Sequence, residues 1–82
     1  MKILKFSASW CGPCKMLSMT LAGIKDEIPY PIEEIDIDAN QELAQKFGIR
    51  GVPTLILVDG VTEIKRKSGV LTAAELKTFA TV

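Results

Sequence analysis

Histidine is absent from this 82-residue sequence, and cysteine occurs only twice, at Cys11 and Cys14. A zinc site takes about four ligands, so an intrachain thiolate or imidazole site is excluded. A metal or cluster shared between two chains stays open. Net charge is absent too: ten basic and ten acidic residues cancel, which removes any global bias towards nucleic acid or an anionic membrane surface. No apolar run approaches the ~18 residues of a membrane-spanning helix. The N-terminal segment does not read as a signal peptide, because Lys5 breaks its apolar stretch. Internal repeats, linkers and low-complexity stretches are also missing, which predicts one domain over residues 1–82. At 48% hydrophobic residues, that domain can bury a core without needing a metal or several disulfides.

What the sequence does have is Cys11-Gly12-Pro13-Cys14, set between Trp10 and Lys15, after the apolar segment Ile3–Phe6 and at the start of a helical pattern. The free N–H groups of a helix's first turn, together with the positive end of its dipole, stabilise a thiolate. A thiol whose pKa drops from about 8.5 to about 7 becomes half ionised at neutral pH, a change worth roughly 2 kcal/mol. Cys11, whose sulfur would cap the helix, is the expected nucleophile. Cys14, one turn further in and more enclosed, would resolve a mixed disulfide. Pro13 falls in the first turn, where the N–H it lacks would have had no intrahelical partner, and Gly12 leaves room for a substrate sulfur. A structural disulfide is the plainer reading, but a ring with only two intervening residues stabilises little. Two cysteines suited to exchange rather than stapling predict a reducing, cytoplasmic setting.

Along the chain, Met1–Ser7 reads as a strand, followed by a helix from Cys11 to about Ile28 with Leu17, Leu21, Ile24 and Ile28 on one face. Pro29 and Pro31 end it. Ile32–Asp38 is a second strand, and Asn40 is placed to cap a short helix carrying Leu43 and Phe47, stopped by Gly48. Thr54–Val58 is an unbroken apolar run, as expected of a central strand covered on both faces. Asp59-Gly60 signals a hairpin into a return strand, Val61–Ser68. Lys65, Arg66 and Lys67 on that strand either protect a sheet edge or offer a patch to an acidic partner. The last helix opens with a capping box, Thr72 with Glu75, and a staple of Leu71 on Leu76. The predicted order is β-α-β-α-β-β-α: an α/β fold with a four-stranded mixed sheet and three helices distributed over both faces. The right-handed crossover rule makes the first two strands parallel neighbours, so Cys11 emerges at their carboxyl end, where open sheets of this kind bind ligands.

These residues resemble the thioredoxin family. Trp10-Cys11-Gly12-Pro13-Cys14-Lys15 matches its active-site motif in full, Phe47–Thr54 resembles its second signature, and Gly69 matches the glycine after the final strand. The resemblance implies the thioredoxin-like fold, a cis bond before Pro53, and packing of Pro53 against the disulfide. It also implies that the Val52 backbone pairs with a substrate strand, and that Trp10, Val52, Gly69 and Val70 line a shallow apolar groove. The implied activity is thiol–disulfide exchange. Cys11 and Cys14 would reduce protein disulfides with no cofactor beyond their own disulfide, and a monomer would be recycled by a flavin-dependent thioredoxin reductase or by glutathione. A glutathione-coupled, glutaredoxin-like reductase and an accessory binding subunit with incidental redox chemistry are the alternatives.

Two departures stand out. Thioredoxins usually carry a strand and helix before the segment equivalent to Met1–Ser7, and without them Ile32–Asp38 becomes an exposed edge that Glu33, Glu34, Asp36 and Asp38 would protect. Six residues before the first cysteine, the family typically has a buried aspartate, with a lysine offered from the neighbouring strand. Here Lys5 holds the first place and Glu34 falls at or near the second, so the pair looks charge-swapped. Alternation puts Ile3, Lys5 and Ser7 on one sheet face and Leu4 and Phe6 on the other. Lys5 then either pairs with Glu34, or second with Asp36, beneath the active site, or it snorkels to solvent. If it pairs, Glu34 would be the carboxylate able to relay the Cys14 proton.

Overall fold

Alternation along the first strand, β1 (Lys2–Ser7), decides how the sheet is covered in the computed structural model, which describes residues 1–81. Ile3 joins one cluster with Leu17, Leu21, Leu55, Leu57, Leu76 and Phe79, while Leu4 and Phe6 join Ile35, Ile56 and Val58 on the opposite face. The first cluster is closed by α1 (Gly12–Gly23) and α3 (Ala73–Phe79); the second is closed by half-buried Leu43 of α2 (Gln41–Lys46) and by Phe47 just after it. The remaining strands are β2 (Ile32–Asp36), β3 (Thr54–Asp59) and β4 (Thr62–Ser68), in the spatial order β2-β1-β3-β4. β1 runs parallel to β2 and antiparallel to β3, which is antiparallel to β4. This is the mixed four-stranded sheet with helices on both faces that the element order predicts. The apolar run of β3 is its central strand: Leu55 and Leu57 feed one cluster, Ile56 and Val58 the other. Full burial of each such side chain stabilises by about 1.5–3 kcal/mol.

Several boundaries differ from the sequence expectation. Cys11 caps the helix as expected, but α1 stops at Gly23, five residues before Ile28. Glycine is a poor helix former, and Ile24 leaves the helical region at φ −122°, with a single 3₁₀ turn over Lys25–Glu27. Pro29 pushes Ile28 into extended backbone (φ −94°, ψ 118°), as the residue before a proline must go. The short turn still delivers Ile24 and Ile28 to the core. β2 ends at Asp36 instead of Asp38, because the Asp36 carboxylate accepts the Asp38 N–H at 2.8 Å and turns the chain. Asn40 occupies the N-cap of α2, but its side chain does not cap; its amide donates backwards to the Asp36 carbonyl at 3.3 Å. Gly48 follows at φ +64°, a conformation in which a side chain would be strained.

At the far edge, Lys65 donates to the Thr81 carbonyl at 2.8 Å and lies over the Phe79 ring, and Arg66 pairs with Glu63 and donates to the Phe47 carbonyl. Two of the three β4 cations are thus engaged within the fold. The Thr72–Glu75 capping box of α3 is formed in both directions, and Leu71 and Leu76 are buried in one cluster.

Candidate active site

β1 delivers the chain to Ser7, and a short turn, in which the Cys11 N–H donates to the Ala8 carbonyl at 3.1 Å, sets Cys11 at the mouth of α1. Cys11 holds extended backbone there, and its sulfur accepts the Cys14 N–H at 3.1 Å. One of the helix's unpartnered donors is therefore aimed at the sulfur that would carry negative charge. Gly12 and Pro13 fill the exposed first turn, and Cys11 and Cys14 are joined as a disulfide, with Cα atoms 5.3 Å apart. Exposure does not separate the two cysteines in this oxidised state, at 4% for Cys11 and 3% for Cys14. The asymmetry lies in position, with Cys11 capping and Cys14 inside the helix. Ala8 and half-buried Ile37 and Val52 complete the apolar collar.

The second sequence motif arrives from across the sheet. The Val52 carbonyl oxygen lies 3.7 Å from Cys11 Sγ, and the Val52–Pro53 peptide bond is cis. Pro53 is buried, and its carbonyl accepts the N–H of Gly69 at 2.9 Å. Gly69 sits at φ +93°, where a side chain would strain the backbone. Gly69 and exposed Val70 are therefore tied to the loop that touches Cys11. Trp10 is 68% exposed and anchored at one point, its indole N–H donating to an Asp38 carboxylate oxygen at 2.9 Å.

Beneath the disulfide lies the swapped pair. Lys5 and Glu34 are directly opposed in the β1–β2 register. The Lys5 ammonium donates to Glu34 Oε1 at 3.3 Å and to the hydroxyl of Ser18, and Ser7 Oγ donates to the same carboxylate oxygen at 3.2 Å. The Lys5 side chain is 3% exposed and that of Glu34 65%, so the cation is enclosed while its partner reaches water; Lys5 does not snorkel. Cys14, Ser18, Glu34, Ser7, Lys15 and Asp36 line one recess of about 270 Å³. Sequence reasoning missed Ser18 and Ser7 as partners of the pair. Their signal was present: Ser18 stands four residues after Cys14, on the same helix face, and Ser7 alternates with Lys5.

Among the described residues, no group of three or more Cys, Asp or Glu is placed to hold a metal ion, and no helix is long and apolar enough to cross a membrane. The thioredoxin family model matches residues 1–82. The chain belongs to the thioredoxin family. It is 44% identical over 68 residues to a thioredoxin of Chlamydia muridarum, covering 82% of this chain and 67% of that protein. It is 42% identical over 71 residues to thioredoxin C-3 of Corynebacterium nephridii, covering 85% of this chain and 49% of that one. The chain thus spans between half and two thirds of the length of these relatives. The fold agrees with that of a mutant thioredoxin from Halobacterium salinarum, at a TM-score of 0.87 and 35% identity over 95% of this chain and 69% of that one. It agrees also with the X-ray structure of Fasciola hepatica thioredoxin, at a TM-score of 0.85 and 30% identity over 96% of this chain and 76% of that one. Within this thioredoxin fold, a helix-capping cysteine and a partner inside the same turn are joined as a disulfide.

Proposed function

We propose that the protein is a thioredoxin-type protein-disulfide reductase. The observation that carries this reading is the Cys11 sulfur, bonded to Cys14, accepting the Cys14 N–H at the helix start and lying against the Val52 carbonyl. In the reduced protein, Cys11 thiolate attacks one sulfur of a substrate disulfide. A Cys11–substrate bond forms and the substrate's other sulfur leaves as thiolate, taking up a proton. Cys14 then gives up its proton and attacks Cys11 Sγ, so the mixed disulfide breaks, the second substrate thiol departs and the Cys11–Cys14 bond closes. Two electrons pass from the dithiol to the substrate. Exchange of this kind leaves the overall count of disulfides unchanged, so an outside reductant, a flavin-dependent thioredoxin reductase or glutathione, must restore the dithiol.

In this reading Trp10, Val52, Gly69 and Val70 present the contact surface, and buried Pro53 holds the Val52 loop in place behind it. An extended substrate segment lies along the Val52 backbone, the open Gly12-Pro13 turn leaves it room, and Lys5 with Glu34 supports the site from below. A reducing compartment such as the cytosol suits the chemistry. Reduction of insulin decides it. Turnover with NADPH and thioredoxin reductase is expected, and it should vanish in Cys11→Ser. Turnover with glutathione alone would reassign the chain to glutathione-coupled chemistry. Insulin left oxidised under both reductants, even with the dithiol form supplied in stoichiometric amount, would overturn the reductase reading.

A further inference from the structure

A buried ammonium is costly unless something uses or holds it, and Lys5 is bonded to a serine one helical turn from the sulfur that must lose a proton. That serine, Ser18 of α1, is four residues from Cys14, a separation that brings side chains within about 5–6 Å at Cβ. The charges around Lys5 fall into opposed sets. Lys15 of α1 and Asp36 of β2 border the recess on the Cys14 side; Lys25 and Asp26, with Tyr30, border the recess on the other side of Lys5. Each set contains one cation and one anion. That leaves Lys5 and Glu34, which are unequal: the enclosed ammonium is poorly screened, whereas water screens the exposed carboxylate.

We propose that Lys5, held by Ser18 and Glu34, is a positioning residue whose charge sets the redox poise of the Cys11–Cys14 disulfide, with Glu34 as the opposing arm. The inference rests on the exchange chemistry proposed above. Reduction breaks the S–S bond and places two electrons on the sulfurs, with protons taken up to the extent that the thiols stay neutral. A nearby cation favours the Cys14 thiolate, so it favours the reduced form and makes the disulfide easier to reduce. Glu34 tempers this effect.

The two arms predict opposite signs. The measurement is the equilibrium between the protein disulfide and glutathione at pH 7 for the unmodified chain, Lys5→Met and Glu34→Gln. Lys5→Met should lower the equilibrium constant for reduction by more than twofold, and Glu34→Gln, which removes the better-screened charge, should raise it by a smaller factor that still exceeds twofold; a tenfold change corresponds to about 30 mV. A merely structural pair would move both in the same direction or neither. Changes below twofold, or of one sign, overturn the proposal. Should Lys5→Met fail to fold, Glu34→Gln decides alone, since its side chain is largely in water. The equilibrium does not depend on turnover. A chain that exchanged with glutathione but left insulin oxidised would sink the reductase reading and still test this one.

Discussion

The N–H of Cys14 points at the sulfur of Cys11, 3.1 Å away, across the first turn of α1. That hydrogen bond survives reduction only if the sulfur remains a good acceptor, which a thiolate is and a thiol is only weakly. Cys11 should therefore ionise below an ordinary thiol. Limited alkylation of the reduced protein should label Cys11 before Cys14, with a reaction rate that levels off below about pH 8.5, the range of a free cysteine. Peptide mapping that finds Cys14 modified first would reverse the assignment of nucleophile and resolving thiol.

The capping box of α3 gives a pH-dependent stability term. The Glu75 carboxylate accepts the Thr72 N–H at 3.0 Å. This backbone hydrogen bond, then the one involving the Thr72 side chain, holds the Glu75 carboxyl below the usual carboxylate range. On the edge strand β4, the Arg66 hydrogen bond does the same for Glu63. A carboxylate depressed in the folded state stabilises above its unfolded pKa, about 4.3, and the contribution is lost as pH falls through the folded value. Chemical denaturation should thus show stability flat from about pH 7 to about 5 and falling below that. Thr72→Ala should cost about 1 kcal/mol at neutral pH and flatten part of the acid slope. A Thr72→Ala protein with the parent's midpoint would remove the cap from the account.

Glu34→Gln leaves the buried Lys5 ammonium with Ser18 but without its counter-charge. The expected loss is about 1–3 kcal/mol, read from the urea midpoint. If Glu34 also accepts the Cys14 proton through the shared recess, the pH–rate profile of insulin reduction shifts as well. A profile identical to the parent's would end the relay reading and leave the pair an electrostatic and structural role.

Much of this architecture is legible in one sequence because local and global signals agree. The unbroken run Leu55–Val58 is central because both its faces are covered, and Thr72 with Glu75 marks a helix start that forms as written. Cys11 is placed by a strand, a turn and a helix cap, all of them short-range. What escaped the reading is long-range or weakly encoded. Gly23 is the one local mark of the end of α1, and it is outweighed by apolar spacing that continues through Ile24 and Ile28, which a 3₁₀ turn delivers to the core. The Trp10–Asp38 bond joins residues 28 apart, and Asn40 had a rival acceptor in the Asp36 carbonyl. Lys5 and Glu34 could be named as candidate partners because the crossover makes β1 and β2 parallel neighbours, and the register that sets Glu34 rather than Asp36 opposite Lys5 is a property of the folded sheet. Ser18 was legible as a neighbour of Cys14 on the helix face, but its bond to Lys5 depends on how α1 packs on β1.

The central claim is that Cys11 attacks and Cys14 releases, and trapping tests it most directly. Cys14→Ser removes the resolving thiol while leaving the capped nucleophile in place. Incubated with a disulfide-bonded protein such as insulin, this variant should accumulate a covalent adduct that dithiothreitol dissolves, with mass mapping placing the bond on Cys11; Cys11→Ser should trap little or nothing. The opposite pattern, an adduct through Cys14 in Cys11→Ser and none in Cys14→Ser, would contradict the account.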